Sequence, residues 1–396
     1  MGKNYLIVNT GSASKKYALY REGELALIAH YETVGKDYIL EVKIKENKKS
    51  FDVTPEEYKN SAEEVLKLIV RENLLLDVSM ITAIGFRVVH GGTNRQPLVI
   101  DEKIIKELEA LIPMAPLHNA PAIKEIKIFA GLLPNIPQIA VFDTSFHATI
   151  PDYARLYAIP QNIPDQHKPQ RYGFHGTSYA SVLRKVEEMY KKTPEKMVIC
   201  HLGSGASIAA IKNGKSVDTS MGFTPLEGLV MGTRPGDIDA GLILHLQKEL
   251  KMSPEKMEEF LNFQCGLRGV SGLTSDVREL IELDKTGDER GVLALGMFAY
   301  RVKKYIGAYF AALNGLDALV FTATIGERSS YMRKKICAGL DALGIILDDK
   351  KNESKTDGEG EIQKDGAPVK ILVIKTDELG QIAREVDLTV EKLSYE

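Results

Sequence analysis

Residues 5–12 read YLIVNTGS, four apolar residues followed by a polar turn, and this stretch decides the predicted fold. An apolar run of this length beside turn residues is typical of a strand that is buried on both faces. A second strand is predicted from Tyr17 to Tyr20, with Glu22-Gly23 as the hairpin turn after it. Glycine and small polar residues after a buried strand let backbone N–H groups approach an anion, so the turn is a candidate phosphate loop.

The same pattern recurs about 190 residues further along the chain. Residues 197–200 predict a buried strand, Gly203–Ser207 a Gly/Ser turn, and residues 208–211 a strand that ends at the hairpin turn Asn213-Gly214. Two such openings indicate duplicated halves, each with its own sheet. Two facing Gly-rich turns would leave a phosphate-sized cleft between the halves.

Helical patterns lie between the predicted strands. A capping box predicts a helix over residues 55–72, Thr177 or Ser178 can cap another, and a third is expected from about Gly291 to Leu313. Strands that alternate with such helices indicate an α/β fold with partly parallel sheets. The polar segment 348–368 is predicted to be a solvated loop.

Length and composition fit an ordinary enzyme of two domains, because 396 residues exceed what one core usually serves. The net charge of -3 gives no electrostatic reason to expect a nucleic acid or an anionic membrane as partner. Three widely spaced cysteines in apolar runs fit buried thiols in a reducing compartment. No run approaches the ~18 apolar residues of a membrane span. We therefore expect a cytoplasmic protein that binds small molecules.

Residues 83–90 predict a strand on which Arg87 and Val89 share one face. A guanidinium beside an apolar side chain could hold a carboxylate while a short alkyl group rests on the valine. Gly91-Gly92 ends the strand where a ligand can approach the backbone closely. The alternative is an ordinary ion-paired arginine at a strand end.

Two more candidates stand at the ends of predicted elements. Asp143 follows the buried strand 140–142 at its carboxyl end, where ligand groups gather in open α/β sheets. His175 lies just before a predicted helix, where an anion would meet unpaired backbone N–H groups and the helix dipole. A turn cap and a structural histidine are the respective alternatives.

Arg234 lies in a segment rich in Gly, Pro and Asp, residues 224–239, which is poor material for a helix or strand. Phosphoryl transfer needs such a cation because charge spreads over three oxygens in the transition state. An arginine that bridges the loop's own aspartates is the alternative. The strand at 319–321 leads through residues 323–326 into a helix. This segment could cradle a nucleotide, and a plain strand-to-helix turn is the alternative.

Together these motifs resemble the acetokinase family, within the acetate and sugar kinase, Hsp70 and actin superfamily. The resemblance spans nearly the whole chain and rests on eight segments: Asn9–Lys16, Arg87–Gly92, Leu117–Asn119, Phe142–His147, Tyr172–Ser178, His201–Ser207, Asp218–Asp239 and Gly315–Ser329. It implies duplicated actin-like (ribonuclease H-like) domains, residues 1–148 and 149–396, with the active site in a cleft between them. The last helix, about 381–396, would pack back on the first domain.

The resemblance also implies roles for individual residues. Arg87 would bind the substrate carboxylate beside a pocket of Val89, Leu117, Phe174 and Pro225. Arg234 and His175 would stabilise the transferring phosphoryl group. Asn9 and Glu378 would hold Mg²⁺, or Mn²⁺ in its place, and Asp143 would organise metal and water. Ser12 and Ser14 match the first loop, and the nucleotide would contact Lys16, His201, Leu202, Gly203, Ser204, Gly205, Asp276, Val277, Arg278, Thr324, Ile325, Gly326, Glu327 and Arg328.

The implied activity is reversible, Mg²⁺-dependent phosphoryl transfer from ATP to acetate, giving acetyl phosphate and ADP, by a homodimer. A carboxylate with a pKa near ~4–5 is ionised at neutral pH, so such an enzyme needs no general base. Propionate as acceptor stays open. So does pyrophosphate or another nucleotide as donor, because Ser204 and Thr324 differ from the family pattern. A nucleotide-binding protein without turnover is a third hypothesis, which the presence of Arg87, His175 and Arg234 disfavours.

Overall fold

The computed structural model describes residues 2–11, 14–163 and 168–394, so Ser12 of the first predicted loop lies outside the described residues. The chain forms two compact units. Unit 1 comprises Met1–Phe146 with Asp377–Glu396, and unit 2 comprises His147–Thr376. The domain division after residue 148 stays a prediction.

Unit 1 contains a sheet whose centre is the predicted N-terminal strand. Its strands are β1 (Asn4–Thr10), β2 (Ser14–Arg21), β3 (Glu24–Val34), β4 (Asp37–Ile44), β5 (Asn47–Val53), β6 (Ala83–Val88), β7 (Leu98–Val99) and β8 (Gln138–Phe142). Their order is β5-β4-β3-β2-β1-β6-β8-β7. Strands β1 to β5 pair antiparallel, whereas β1, β6 and β8 are parallel neighbours. The carboxyl ends of β1, β6 and β8 therefore point in the same direction.

Helices of unit 1 follow the sheet strands: α1 (Pro55–Lys59), α2 (Ser61–Arg71), α3 (Glu102–Ala110) and α4 (Pro116–Leu132). The capping box of Thr54 and Glu57 is present. The single helix predicted over 55–72 is wrong, because Asn60 ends α1 and precedes α2. Apolar residues of α2 and α4 pack with β1, β2 and β6 in the larger core of the unit.

Unit 2 repeats the strand order of unit 1. Its strands are β9 (Lys196–Leu202), β10 (Ala206–Lys212), β11 (Lys215–Thr219), β12 (Ala318–Thr322), β13 (Gly360–Glu361) and β14 (Lys370–Val373). The order β11-β10-β9-β12-β14 matches β3-β2-β1-β6-β8 of unit 1, and the antiparallel and parallel pairings match as well. The prediction of duplicated halves is confirmed, and the fold is α/β with duplicated actin-like domains.

Helices of unit 2 are α5 (Asp152–Arg155), α6 (Gly176–Tyr190), α7 (Ala240–Glu249), α8 (Pro254–Phe263), α9 (Gly266–Ser271), α10 (Val277–Lys285), α11 (Glu289–Leu313), α12 (Ala323–Arg328), α13 (Ser330–Cys337) and α14 (Asp349–Ser354). Two sequence predictions are wrong here. The N-cap of α6 is His175, not Thr177 or Ser178. The segment 348–368 contains α14 and β13, and its Asn352 is buried.

The last helix, α15 (Glu378–Leu393), packs in unit 1. Its Ile382 and Val386 share a second, smaller core with apolar residues of β1, β2, β6 and β8. A side chain at Gly85 would place its Cβ 2.4 Å from a methyl carbon of Val386, so glycine lets α15 approach β6 closely. This packing brings the start of α15 to the strand that carries Arg87. Among the described helices, none is long and apolar enough to cross a membrane.

Candidate active site

Unit 1 brings three predicted site residues into direct contact. Arg87 lies near the end of β6, Asp143 follows β8, and Glu378 is the first residue of α15. The Arg87 guanidinium donates from Nη2 to Asp143 Oδ2 at 2.7 Å and from Nε to both carboxylate oxygens of Asp143 at 3.2 Å. Its Nη1 donates to Glu378 Oε2 at 3.1 Å. The ion pair that the sequence left open is present, and it is a buried one.

Charge in this cluster is negative overall, because one guanidinium meets two carboxylates. The Asp143 side chain is fully buried, and that of Arg87 is 15% exposed. Burial acts to lower the pKa of Arg87, but the charges of Asp143 and Glu378, with the hydrogen bonds to Asp143, raise it above its ordinary value. The arginine is therefore permanently cationic.

The chain beyond β6 is held against the first turn of α4. The backbone N–H of His90 donates to Asn119 Oδ1 at 3.0 Å, and Asn119 Nδ2 donates to the carbonyl of His90 at 2.9 Å. Asn119 is fully buried. These two bonds fix the segment that carries Val89 to the helix that carries Leu117, and both of these side chains are partly exposed.

Unit 2 gathers a second set of predicted residues around the turn Gly203–Gly205, which follows β9. The N–H of Gly203 donates to the carbonyl of Gly205 at 3.1 Å. A Cβ on Gly205 would lie 3.6 Å from His175 Nε2 and 3.7 Å from Arg234 Nη2. The imidazole and the guanidinium therefore reach the same point above the glycine turn.

Arg234 is a desolvated cation with neutral neighbours. Its Nη1 donates to the carbonyl of Pro225 at 3.0 Å and lies 3.6 Å from the sulfur of Met231. Burial lowers the pKa of Arg234 below its ordinary value. Within residues 2–11, 14–163 and 168–394, Arg234 forms no salt bridge. The aspartate-bridging alternative does not hold for Asp237, whose carboxylate lies 3.4 Å from Arg301 instead.

His175 and His201 form a stacked pair of imidazoles. Their ring centroids are 4.0 Å apart and the planes are inclined by 17°. The Nδ1 atom of His175 is 2.8 Å from Ser207 Oγ, and that of His201 is 2.8 Å from Ser178 Oγ. His201 is the penultimate residue of β9 and precedes Leu202, which is buried as well. Each ring is thus oriented by a serine hydroxyl.

Predicted adenosine-contacting residues lie at the starts of two helices of unit 2. Asp276 is the N-cap of α10, next to Val277, and its carboxylate accepts hydrogen bonds from the exposed side chain of Arg278. The segment from Thr324 to Arg328 forms most of α12, in which Thr324 and Arg328 are exposed.

The carboxylate of Glu327 supports the start of α12. Its Oε1 accepts from the N–H of Ala323 at 2.8 Å and from the N–H of Thr376 at 2.9 Å. Ala323 has a φ of 62°, a left-handed value that is uncommon for a residue with a side chain. Ile325 and Gly326 complete the segment, and a Cβ at Gly326 would lie 3.3 Å from the backbone of Phe321.

The remaining predicted residues divide between the units. Asn9 near the end of β1 pairs with Lys16 of β2, and both lie in unit 1 beside Ser14. Phe174 is buried in unit 2, where its carbonyl is 3.0 Å from His147 Nε2. Pro225 is in unit 2 as well. Thus Arg87, Val89 and Leu117 of the predicted acid pocket belong to unit 1, and Phe174 and Pro225 belong to unit 2.

Sequence patterns missed the residues that orient the two imidazoles. Ser207 and Ser178 hold His175 and His201, and Tyr179 in turn contacts Ser207. Thr376 Oγ1 donates to Ser178 Oγ at 2.8 Å. The one signal available was position: Ser207 ends the Gly/Ser turn, and Ser178 and Tyr179 follow His175 by three and four residues, one helical turn.

The model of the acetokinase family matches residues 4–384. The chain belongs to the acetokinase family. An acetate kinase of Dictyoglomus thermophilum is 44% identical over 396 residues, which cover 98% of this chain and 99% of that protein.

Solved structures of acetokinase relatives have the same fold. The acetate kinase of Porphyromonas gingivalis matches with a TM-score of 0.88 at 37% identity and covers 98% of this chain and 100% of its own. A propionate kinase from Francisella tularensis matches with a TM-score of 0.89 at 37% identity and covers 97% of this chain and 98% of its own. The two relatives share the fold, but one is named for acetate and the other for propionate.

Proposed function

We propose that the chain is an acetate kinase, which transfers a phosphoryl group reversibly between ATP and acetate with Mg²⁺. The observation that carries this proposal is Arg234, a partly buried guanidinium above the Gly203–Gly205 turn, hydrogen-bonded to a neutral carbonyl. A desolvated cation of this kind attracts an anion strongly. The nearby glycine turn and the imidazole of His175 fit a phosphoryl group as that anion.

The acetate carboxylate is assigned to Arg87. A guanidinium has five N–H groups, and the bonds to Asp143 and Glu378 come from its Nε, Nη1 and Nη2 atoms. One further N–H on each of Nη1 and Nη2 is then available for a planar, bidentate carboxylate. Val89 and Leu117, which the His90 and Asn119 bonds hold in place, supply the apolar surface for a methyl group.

Residues in unit 1 also fit a magnesium ion. Asp143 and Glu378 offer hard carboxylate oxygens, and their two negative charges exceed the single positive charge of Arg87. No cluster of three acidic, histidine or cysteine side chains suited to a metal occurs among the described residues. Magnesium commonly uses only one or two carboxylates together with substrate phosphates, so Asp143, Glu378 and Asn9 suffice as candidates. The bound ion would neutralise charge on the phosphates.

In the proposed step, a carboxylate oxygen of acetate attacks the γ-phosphorus of ATP in line. The new oxygen–phosphorus bond forms as the bond from γ-phosphorus to the bridging oxygen breaks, and ADP leaves with that electron pair. Arg87 positions the attacking carboxylate, while Arg234 and His175 donate hydrogen bonds to the equatorial oxygens. No proton has to be removed from the nucleophile, because acetate is already ionised.

Hydroxamate formation tests this function. Purified protein with acetate, ATP, Mg²⁺ and hydroxylamine should give acetohydroxamate, and Arg290→Met, which alters an exposed arginine of α11, should behave like the wild type. Propionate and butyrate belong in the same assay, because one methylene changes binding by only ~1–3 kcal/mol. A panel of phosphoryl donors that includes pyrophosphate and GTP tests whether the exposed Thr324 and Ser204 alter the choice of donor. No hydroxamate from any of these acids and donors would refute the proposal.

We also propose that the enzyme is a cytoplasmic homodimer. The free thiols of Cys200, Cys265 and Cys337 fit a reducing compartment. Exposed apolar side chains on unit 2, such as Leu244, Leu293 and Tyr300, each with more than half of the residue surface exposed, are candidates for an interface. Sedimentation at several concentrations tests the assembly, and a monomer throughout would contradict it.

A further inference from the structure

Tyr179 contacts the residue that orients His175. It is fully buried in the first turn of α6, and its backbone N–H donates to the carbonyl of His175 at 3.0 Å. Its hydroxyl is hydrogen-bonded to Ser207 Oγ, the same oxygen that lies 2.8 Å from His175 Nδ1. A chain of two hydroxyl groups therefore leads from the protein interior to the imidazole.

Chemistry fixes the direction of the hydrogen bonds in this chain. Burial raises the pKa of Tyr179 above its ordinary value, so the phenol keeps its proton. A phenol is a better donor than an aliphatic hydroxyl, so Tyr179 donates to Ser207 Oγ. Ser207 then directs its own proton to its other partner, which is His175 Nδ1. An imidazole that accepts at Nδ1 carries its proton on Nε2 in the neutral form.

The surroundings of the ring agree with that tautomer. Nε2 of His175 and Nη2 of Arg234 lie 3.6 and 3.7 Å from the same point above Gly205, so a cation stands close to the imidazole and disfavours a second positive charge. The face of the His175 ring stacks on the ring of His201, with the two centroids 4.0 Å apart. Ser178 in turn is hydrogen-bonded to Nδ1 of His201. The stack resists rotation of the His175 ring out of its plane.

We propose that Tyr179, acting through Ser207, holds His175 in the neutral tautomer with its proton on Nε2, and so aims that N–H at the transferring phosphoryl group. Tyr179 and Ser207 are positioning residues, and only His175 touches the substrate. The assignment of the phosphoryl group rests on the proposed function, but the tautomer does not.

Nitrogen NMR of the full-length protein with labelled histidine tests the tautomer directly, and His175→Gln assigns the signals. In the wild type, His175 Nδ1 should have the shift of an unprotonated nitrogen and Nε2 that of a protonated one. Ser207→Ala removes the donor to Nδ1, so the ring should populate both tautomers. Tyr179→Phe should shift the signals in the same direction, whereas Tyr190→Phe, the same change at the far end of α6, should leave them unchanged.

Steady-state kinetics gives the second readout. Tyr179→Phe should lower kcat about tenfold, the scale of one neutral hydrogen bond, and leave the KM for acetate within about twofold. A wild-type His175 with its proton on Nδ1 would overturn the proposal, and so would a folded Tyr179→Phe variant with unchanged tautomer and kcat. If Tyr179→Phe fails to fold, Ser207→Ala and the wild-type spectrum still decide the tautomer. A protein with the expected tautomer but no phosphoryl transfer would refute the proposed function alone.

Discussion

The guanidinium of Arg87 and the carboxylate of Asp143 lie 2.7 Å apart at the carboxyl ends of two neighbouring parallel strands. The pairing of Val88 with Phe142 in β6 and β8 places these two residues side by side. Arg234 is the contrasting case, because it is a partly buried cation that donates to a neutral carbonyl and lies beside a sulfur atom. The two arginines should therefore respond differently to the same substitution.

Arg87→Met should lower both activity and stability. We expect turnover to fall by at least ~10²-fold, the scale of a lost electrostatic group. The free energy of unfolding should fall by ~3–5 kcal/mol, because the buried carboxylate of Asp143 loses its ion pair with the guanidinium. Urea unfolding and the hydroxamate assay measure the two effects.

A double variant separates these effects of Arg87. Adding Asp143→Asn to Arg87→Met removes the buried negative charge that Arg87 balanced, so the free energy of unfolding should recover at least in part while activity stays low. Unchanged stability in Arg87→Met itself would show that the ion pair contributes little to the folded state. Near-normal turnover would exclude Arg87 from carboxylate binding.

Arg234→Met should abolish most activity without loss of stability. Turnover should again fall by at least ~10²-fold, since Arg234 is assigned to the phosphoryl oxygens. The free energy of unfolding should be unchanged or higher, because the substitution removes a desolvated, partly buried charge whose Nη1 contacts are a neutral carbonyl and a sulfur atom. Arg290→Met is the matched surface control. A destabilised but active Arg234→Met protein would indicate a structural role.

Arg333→Met should loosen the predicted nucleotide segment. Arg333 is fully buried and donates to the carbonyls of Gly326 and Glu327 at 2.8 Å and to Asn352 Oδ1 at 2.7 Å. Burial lowers its pKa to about 10. Each acceptor left unpaired costs ~1–3 kcal/mol, so we expect the free energy of unfolding to fall by at least ~3 kcal/mol and the KM for ATP to rise.

Lys334→Met is the control for Arg333, because Lys334 is an exposed neighbour on α13 whose ion pair with Asp349 is at the surface. It should change neither stability nor KM by a measurable amount. Equal effects of the two substitutions would mean that Arg333 does not hold the end of α12.

Local patterns were enough to predict the framework of the fold. The strands in residues 5–20 and 197–211 were predictable because each pattern depends on neighbouring residues only. The recurrence of the strand, Gly/Ser and strand pattern predicted the duplicated sheets. Arg87, Asp143, His175 and Arg234 stood out for the same local reason. The partners of Arg87 and Arg234 were not predictable, because the sequence does not show whether a bound anion or a carboxylate of the protein faces each guanidinium.

The errors came from contacts across the fold. The segment 348–368 looked like solvated loop because its residues are charged, yet Asn352 is buried through its bonds to Arg333, 19 residues away. His175 is the N-cap of α6, and its backbone is in the left-handed conformation. The side chains of Thr177 and Ser178 gave no sign of this backbone conformation. The hydroxyl chain of Tyr179 and Ser207 spans 28 residues and left no local pattern.

Transfer of a labelled oxygen tests the central claim most directly. Acetate carrying ¹⁸O in both carboxylate positions is incubated with ATP, Mg²⁺ and the enzyme, and hydroxylamine then cleaves the acyl phosphate at its carbonyl carbon. Attack by the carboxylate on the γ-phosphorus leaves one acetate oxygen on the released phosphate, so mass spectrometry should find one ¹⁸O atom per phosphate formed. Phosphate without ¹⁸O would show that water accepts the phosphoryl group, and would contradict the proposed reaction.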